Sequence, residues 1–150
     1  MDPYPAPAFR PSAPAPSPEP LVRRLLTPLG TLAAVGAAFG YVGAVDPNHP
    51  GHYPVCPLLA LTGIYCPGCG GLRSAHAVAH GDIVTAFGDN ALAVIGYGVF
   101  ALVMAVWLIR AVRGRPTQVT LRPALWWTIG AVVLVFTVVR NLPMGAALAP

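Results

Sequence analysis

Apolar positions along the chain fall into three long, nearly unbroken runs, not the one-faced or alternating patterns of a water-soluble domain. The first spans about 25–45 and reads LLTPLGTLAAVGAAFGYVGAV. The second spans 91–109, ALAVIGYGVFALVMAVWLI, and the third 124–142, ALWWTIGAVVLVFTVVRNL. About 20 apolar residues, at a rise of about 1.5 Å each, cross the hydrocarbon core of a bilayer. In lipid the backbone must satisfy its own hydrogen bonds, and an isolated segment does so only as a helix. The pattern therefore predicts an all-α membrane protein with three transmembrane helices, and puts Trp126 and Trp127 at one interface.

The polar stretches divide the rest. Residues 1–20, MDPYPAPAFRPSAPAPSPEP, hold eight of the 18 prolines and no apolar periodicity. That predicts a disordered Pro-rich tail ahead of a membrane domain over 21–150. The connection 46–90 is too long and too apolar for an idle loop. Its segment VCPLLALTGIY carries no charge, yet is too short to span, which predicts a re-entrant or interfacial position. Beyond it, Gly71 to about His80 reads as a short helix with Arg73, His76 and His80 on one face.

Composition agrees with lipid as the main surroundings. Hydrophobic residues make up 55% of the chain and charged residues 9%, against about 25% in a soluble domain; the mean hydropathy is +0.64. The formal net charge of +4 is carried by arginine alone, there being no lysine. The arginines sit at the ends of apolar runs, which points to membrane topology and away from nucleic acid. Arg10, Arg23, Arg24, Arg110, Arg113, Arg115 and Arg122 lie on one side, and only Arg73 and Arg140 on the other. The positive-inside rule then places the N-terminus in the cytoplasm and the cysteine loop outside. Alanine, proline and arginine in excess suggest a bacterial source, hence the inner (plasma) membrane. Arg73 and Arg140 are expected to pair with Asp46, Asp82 or Asp89 near the lipid boundary. Asn90 and Asn141, at helix ends, are expected as caps.

The chemistry is confined to the loop. All three cysteines fall within CPLLALTGIYCPGC, residues 56–69. Cys66-Pro67-Gly68-Cys69-Gly70 forms a knuckle sequence, in which a tight turn aims two sulfurs at one point and Gly70 supplies a positive φ. Three readings stay open. Cys56, Cys66 and Cys69 with one histidine, His76 first and then His80 or His52, complete a tetrahedral site whose soft sulfurs favour zinc, with copper(I) next. Alternatively Cys66 and Cys69 form a redox CxxC at a helix start, where the helix dipole favours a Cys69 thiolate. In the third, Cys56 is simply stapled to Cys66 or Cys69. No Ser-His-Asp set, carboxylate pair or phosphate loop supports a hydrolase or nucleotidase. In the first run, Gly36 and Gly40 form a GxxxG that suits close helix packing, within the chain or in self-association.

Cys56-Pro57, Thr62-Gly63, Cys66-Pro67-Gly68-Cys69-Gly70, Arg73, His80-Gly81-Asp82 and Asn90 together resemble a bacterial membrane-protein family, the domain of unknown function 2752. The likeness covers roughly 55–100, and Arg140-Asn141 is also similar to that family; Leu72 and Ala91 stand where it commonly has Thr and Pro. The resemblance implies a small multi-pass membrane protein and assigns no activity. The leading expectation is an extracytoplasmic structural or metal-binding module supporting a membrane partner, not an enzyme. Its rival is a membrane thiol–disulfide oxidoreductase using the Cys66–Cys69 pair.

Overall fold

The structure, a computed structural model, describes residues 20–115 and 122–149. The expected Pro-rich tail lies outside the described residues, except for Pro20. Five α-helices follow in order: α1 (Leu21–Ala44), α2 (Pro57–Thr62), α3 (Gly71–Ala79), α4 (Ile83–Val112) and α5 (Pro123–Arg140), with a 3₁₀ segment at Pro143–Leu148. No strand occurs among them. Helices α1, α4 and α5 are long and apolar enough to cross a membrane. Of the apolar windows of α4 and α5, only 6% is buried within the chain, so their surface is left for lipid.

Helix α4 is longer than a bilayer requires, at about 45 Å for 1.5 Å per residue. Its first two turns belong to the polar end. Asp82 caps the start, accepting from the Thr85 amide at 3.0 Å and the Thr85 hydroxyl. At Asn90 the backbone leaves the helical region (φ −162°, ψ 94°), and the Asn90 Oδ1 accepts from the Ala93 amide at 3.0 Å. Asn90 thus ends one short helix and caps the next. The expected cap is present, and the spanning part begins at Ala91 and runs about 33 Å to Val112.

Helices α1, α3 and α4 pack together at the end carrying the cysteines. Phe39 of α1 meets Tyr97 of α4 edge-on at 5.1 Å. Gly43 lets α1 approach α3 so closely that an added Cβ would lie 3.2 Å from that of Ala79. Fully buried Ser74 donates to the Gly71 carbonyl at 2.9 Å, and the Tyr97 hydroxyl donates to the same carbonyl at 2.9 Å. The expected GxxxG contact takes another form: Gly36 and Gly40 face open space, and Gly43 makes the close approach to α3. At the opposite end the Arg24 side chain of α1 lies over Gly114, just past α4. That brings the arginine-rich ends of α1 and α4 to one side.

Candidate metal centre

The site is built from two Cys-Pro turns. Cys56 is the N-cap of α2 with Pro57 at the first helical position, where a missing amide is harmless. Helix α2 ends after two turns at Gly63, whose φ of 72° favours glycine. The chain then enters the second turn. There the Cys69 amide donates to the Cys66 carbonyl at 3.1 Å and the Gly71 amide to the Gly68 carbonyl at 2.9 Å. Gly70, at φ 79°, redirects the backbone into α3, as the knuckle sequence predicts.

These turns bring all three sulfurs together. The Cys56 and Cys66 Sγ atoms are 3.5 Å apart, and those of Cys66 and Cys69 3.2 Å. All three lie within 4.8 Å of one another, and all three cysteines are free thiols. A tetrahedral zinc with bonds of about 2.3 Å to sulfur holds its thiolates about 3.8 Å apart. The triad already has nearly that spacing. Cys69 is buried, while Cys56 and Cys66 are partly open.

Electrostatics separates the thiols. Cys56 is lowered to about 7, chiefly because the Leu59 amide at the start of α2 points to its sulfur, with help from the other two thiols. Cys69 is pushed up to about 12, first by burial and then by hydrogen bonds with Cys66 and Cys56. This corrects the expectation that the start of α3 would favour a Cys69 thiolate. Burial outweighs the dipole of a nine-residue helix, and the acidic thiol is Cys56.

The backbone of the second turn is clamped by side chains from two helices. Arg140, 2% exposed at the end of α5, donates from Nη1 to the Cys66 carbonyl at 3.0 Å and from Nη2 to the Cys69 carbonyl at 3.1 Å. Asn90 Nδ2 donates to the carbonyls of Pro67 and Cys69, both at 2.9 Å. Asn141 brackets Tyr65: its Oδ1 accepts from the Tyr65 amide at 2.8 Å and its Nδ2 donates to the Tyr65 carbonyl at 2.9 Å. Tyr65 and Phe136 face the Arg140 guanidinium at 5.7 and 5.0 Å. The expected Arg140–aspartate pair is therefore replaced by a guanidinium on two main-chain carbonyls. A buried cation can be compensated by well-placed carbonyl dipoles as well as by a carboxylate. Arg73 lies near Asp89, whose carboxyl is raised by burial against the opposing pull of Arg73.

Residues 56–104 match the family model described as a protein of unknown function, DUF2752. The likeness to that family is confined to this segment. Comparison with curated proteins and with solved structures finds no match. The matched segment contains the three sulfurs, Arg73 and Asn90, whereas Arg140 and Asn141 clamp it from outside the matched range. His76, expected as the first choice for a fourth ligand, is not in the sulfur group. Its Nδ1 contacts the Val42 carbonyl at 2.8 Å and its Nε2 lies 3.9 Å from Asp46. His80 stacks on His76 with ring centres 4.3 Å apart, and His52 contacts the Asp46 carbonyl at 3.3 Å. Beside the sulfurs opens a cleft of about 740 Å³, lined by Cys56, Cys69, Tyr53, Tyr65, Arg73 and His49 among others. The clamp went unrecognised in the sequence, though it left a signal: an arginine followed by asparagine closing an apolar span.

Proposed function

We propose that this chain is a metal-binding membrane module in which Cys56, Cys66 and Cys69 hold a thiophilic ion, zinc first. The observation that carries the reading is the convergence of three free sulfurs at 3.2–3.5 Å on a backbone fixed from two other helices. Three thiolates leave one coordination position, which falls to water or to a group reaching in from the adjoining cleft. Clamped, partly buried ligands suit a structural or binding centre that presents the loop to a membrane partner. A thiol–disulfide enzyme working through the Cys66–Cys69 pair is less well supported, because burial pushes the Cys69 thiol up while the thiol lowered to about 7, Cys56, lies outside that pair.

The proposed setting is a bacterial inner membrane with the N-terminus cytoplasmic, 21–150 as the membrane domain and the cysteine loop on the outer face. The arginine distribution supports this orientation. Gly36 and Gly40, open toward lipid, are the proposed contact for self-association. The deciding experiment is metal content on detergent-purified, tag-free protein beside Cys66→Ser, with free thiols counted in the same samples. Stoichiometric zinc lost in the variant supports the reading. No metal, together with two thiols that appear only after reductant, would sink it and restore the redox alternative.

A further inference from the structure

Six described arginines stand at the helix ends remote from the sulfurs. Arg23 and Arg24 open α1, Arg110, Arg113 and Arg115 close α4, and Arg122 precedes α5. The carboxylates among the described residues, Asp46, Asp82 and Asp89, all belong to the opposite end. An excess of one sign at one level of the molecule suits an acidic partner. Its depth is set by α4, whose spanning part closes at Val112, so that Arg113 and Arg115 emerge where hydrocarbon gives way to headgroups. Trp126 and Trp127, both exposed at the start of α5, mark the same level.

One guanidinium at this level is held in place without being satisfied. The Arg24 side chain lies over Gly114, whose φ of 65° favours glycine. There the chain closes α4: the Gly114 amide donates to the Ala111 carbonyl at 3.2 Å and the Arg115 amide to the Arg110 carbonyl at 2.9 Å. The negative end of the α4 dipole attracts the Arg24 cation. Even so, Arg24 Nε is enclosed and has no hydrogen-bond partner among the described residues. An enclosed cationic donor without an acceptor is costly, and this end of the described chain offers it no carboxylate. Arg24 as a whole is only half-buried, so an acceptor can approach its fork from the headgroup layer. A phosphate ester brings negative charge and several acceptor oxygens that match a guanidinium.

We propose that Arg24, seated on Gly114 and flanked by Arg113 and Arg115, binds the phosphate of an acidic phospholipid. This seat stands independently of the thiolate centre and of which leaflet this end faces. The surroundings favour a lipid over a free anion. Deeper along the same helices, Leu26 and Leu29 of α1 and Val106 and Ile109 of α4 are exposed apolar surface, against which acyl chains would lie. A lipid held here would pin α1 to the end of α4, the two helices whose other ends pack with α3.

The test is native mass spectrometry of the full-length protein in detergent, titrated with phosphatidylglycerol or with phosphatidylcholine of the same acyl chains. Wild type is compared with Arg24→Gln, Arg24→Lys, Gly114→Ala and Arg122→Gln. The expected result is one phosphatidylglycerol retained in preference to phosphatidylcholine. Arg122→Gln removes a charge elsewhere at this end and should weaken retention about 5-fold. Arg24→Gln loses hydrogen bonds as well as charge and should weaken it at least about 25-fold, with Arg24→Lys in between. Gly114→Ala keeps every charge but puts a methyl group against the guanidinium, and should cost at least about 10-fold. Melting temperatures in lipid-free detergent separate this loss from misfolding. Should Gly114→Ala fail to fold, Arg24→Gln against Arg122→Gln carries the same comparison. Equal losses in those two variants, or a folded Gly114→Ala that retains lipid like wild type, would reduce the patch to diffuse charge and overturn the seat. Equal retention of the two lipids, or displacement of phosphatidylglycerol by an equal concentration of inorganic phosphate, would overturn it too.

Discussion

The Arg140 guanidinium and the Cys69 carbonyl meet at 3.1 Å although 71 positions separate them. The same carbonyl accepts from Asn90 Nδ2 at 2.9 Å, so one main-chain oxygen joins α4, α5 and the cysteine turn. A span that would otherwise be held mainly through its 3₁₀ extension is tied to the domain by this contact. The sulfurs are left free of any such duty and hydrogen-bond with one another.

Removing that guanidinium should open the knuckle. Arg140→Met leaves the Cys66 carbonyl without its side-chain donor, at a cost of about 2–4 kcal/mol. Arg140→Lys should recover little, since one ammonium does not bridge two carbonyls in a fixed fork. The measurement is the rate of maleimide modification of Cys69 in detergent, alongside the melting temperature. Protection unchanged in Arg140→Met would mean that the clamp is incidental.

Asn90→Ala removes three hydrogen bonds at a fully buried position, to Pro67, Cys69 and Ala93. A loss of about 2–3 kcal/mol is expected, together with weaker metal retention. Helical circular dichroism during denaturant titration reads the first effect, and competition with a chelator reads the second.

In metal-free protein the thiols should titrate apart. With Cys56 at about 7 and Cys69 at about 12, alkylation mapped by mass spectrometry should rise at Cys56 through neutral pH and stay low at Cys69. The stability effects have opposite signs. The reference thiol value is 9.0, and Cys56 is lowered below it, so its contribution is fully present above about 9 and is lost as pH falls through about 7. Cys69 is raised, so its contribution holds below about 9 and is lost as pH climbs toward 12. A Cys69 that reacts faster than Cys56 at pH 7 would reverse this assignment.

Orientation is open to direct labelling. In intact spheroplasts, a membrane-impermeant maleimide should modify a cysteine introduced by Ala149→Cys and spare one introduced by Arg115→Cys. Permeabilisation should expose both. The reverse pattern would place the cysteine loop in the cytoplasm.

Much of this molecule is decided by local sequence. Three apolar runs of bilayer length can only be helices in lipid, so α1, α4 and α5 follow from the runs around Leu32, Val99 and Val132. The knuckle is equally local: Cys66, Cys69 and Gly70 lie within one turn, and the turn geometry alone brings two sulfurs together. The approach of Cys56 needs only the short helix α2. What spacing does not reveal is which distant group meets which carbonyl. Arg140 has aspartates on its own side of the chain and is expected to pair with one, yet the packing of α5 carries it to the Cys66 and Cys69 carbonyls. His76 shares a helix face with Arg73 and follows the sulfurs closely, yet the seating of α3 on α1 turns its ring to Val42 and Asp46. Periodicity specifies the face a residue occupies on its own helix. The element that covers that face is set by close approaches such as Gly43 on Ala79, which exist only once the helices have packed.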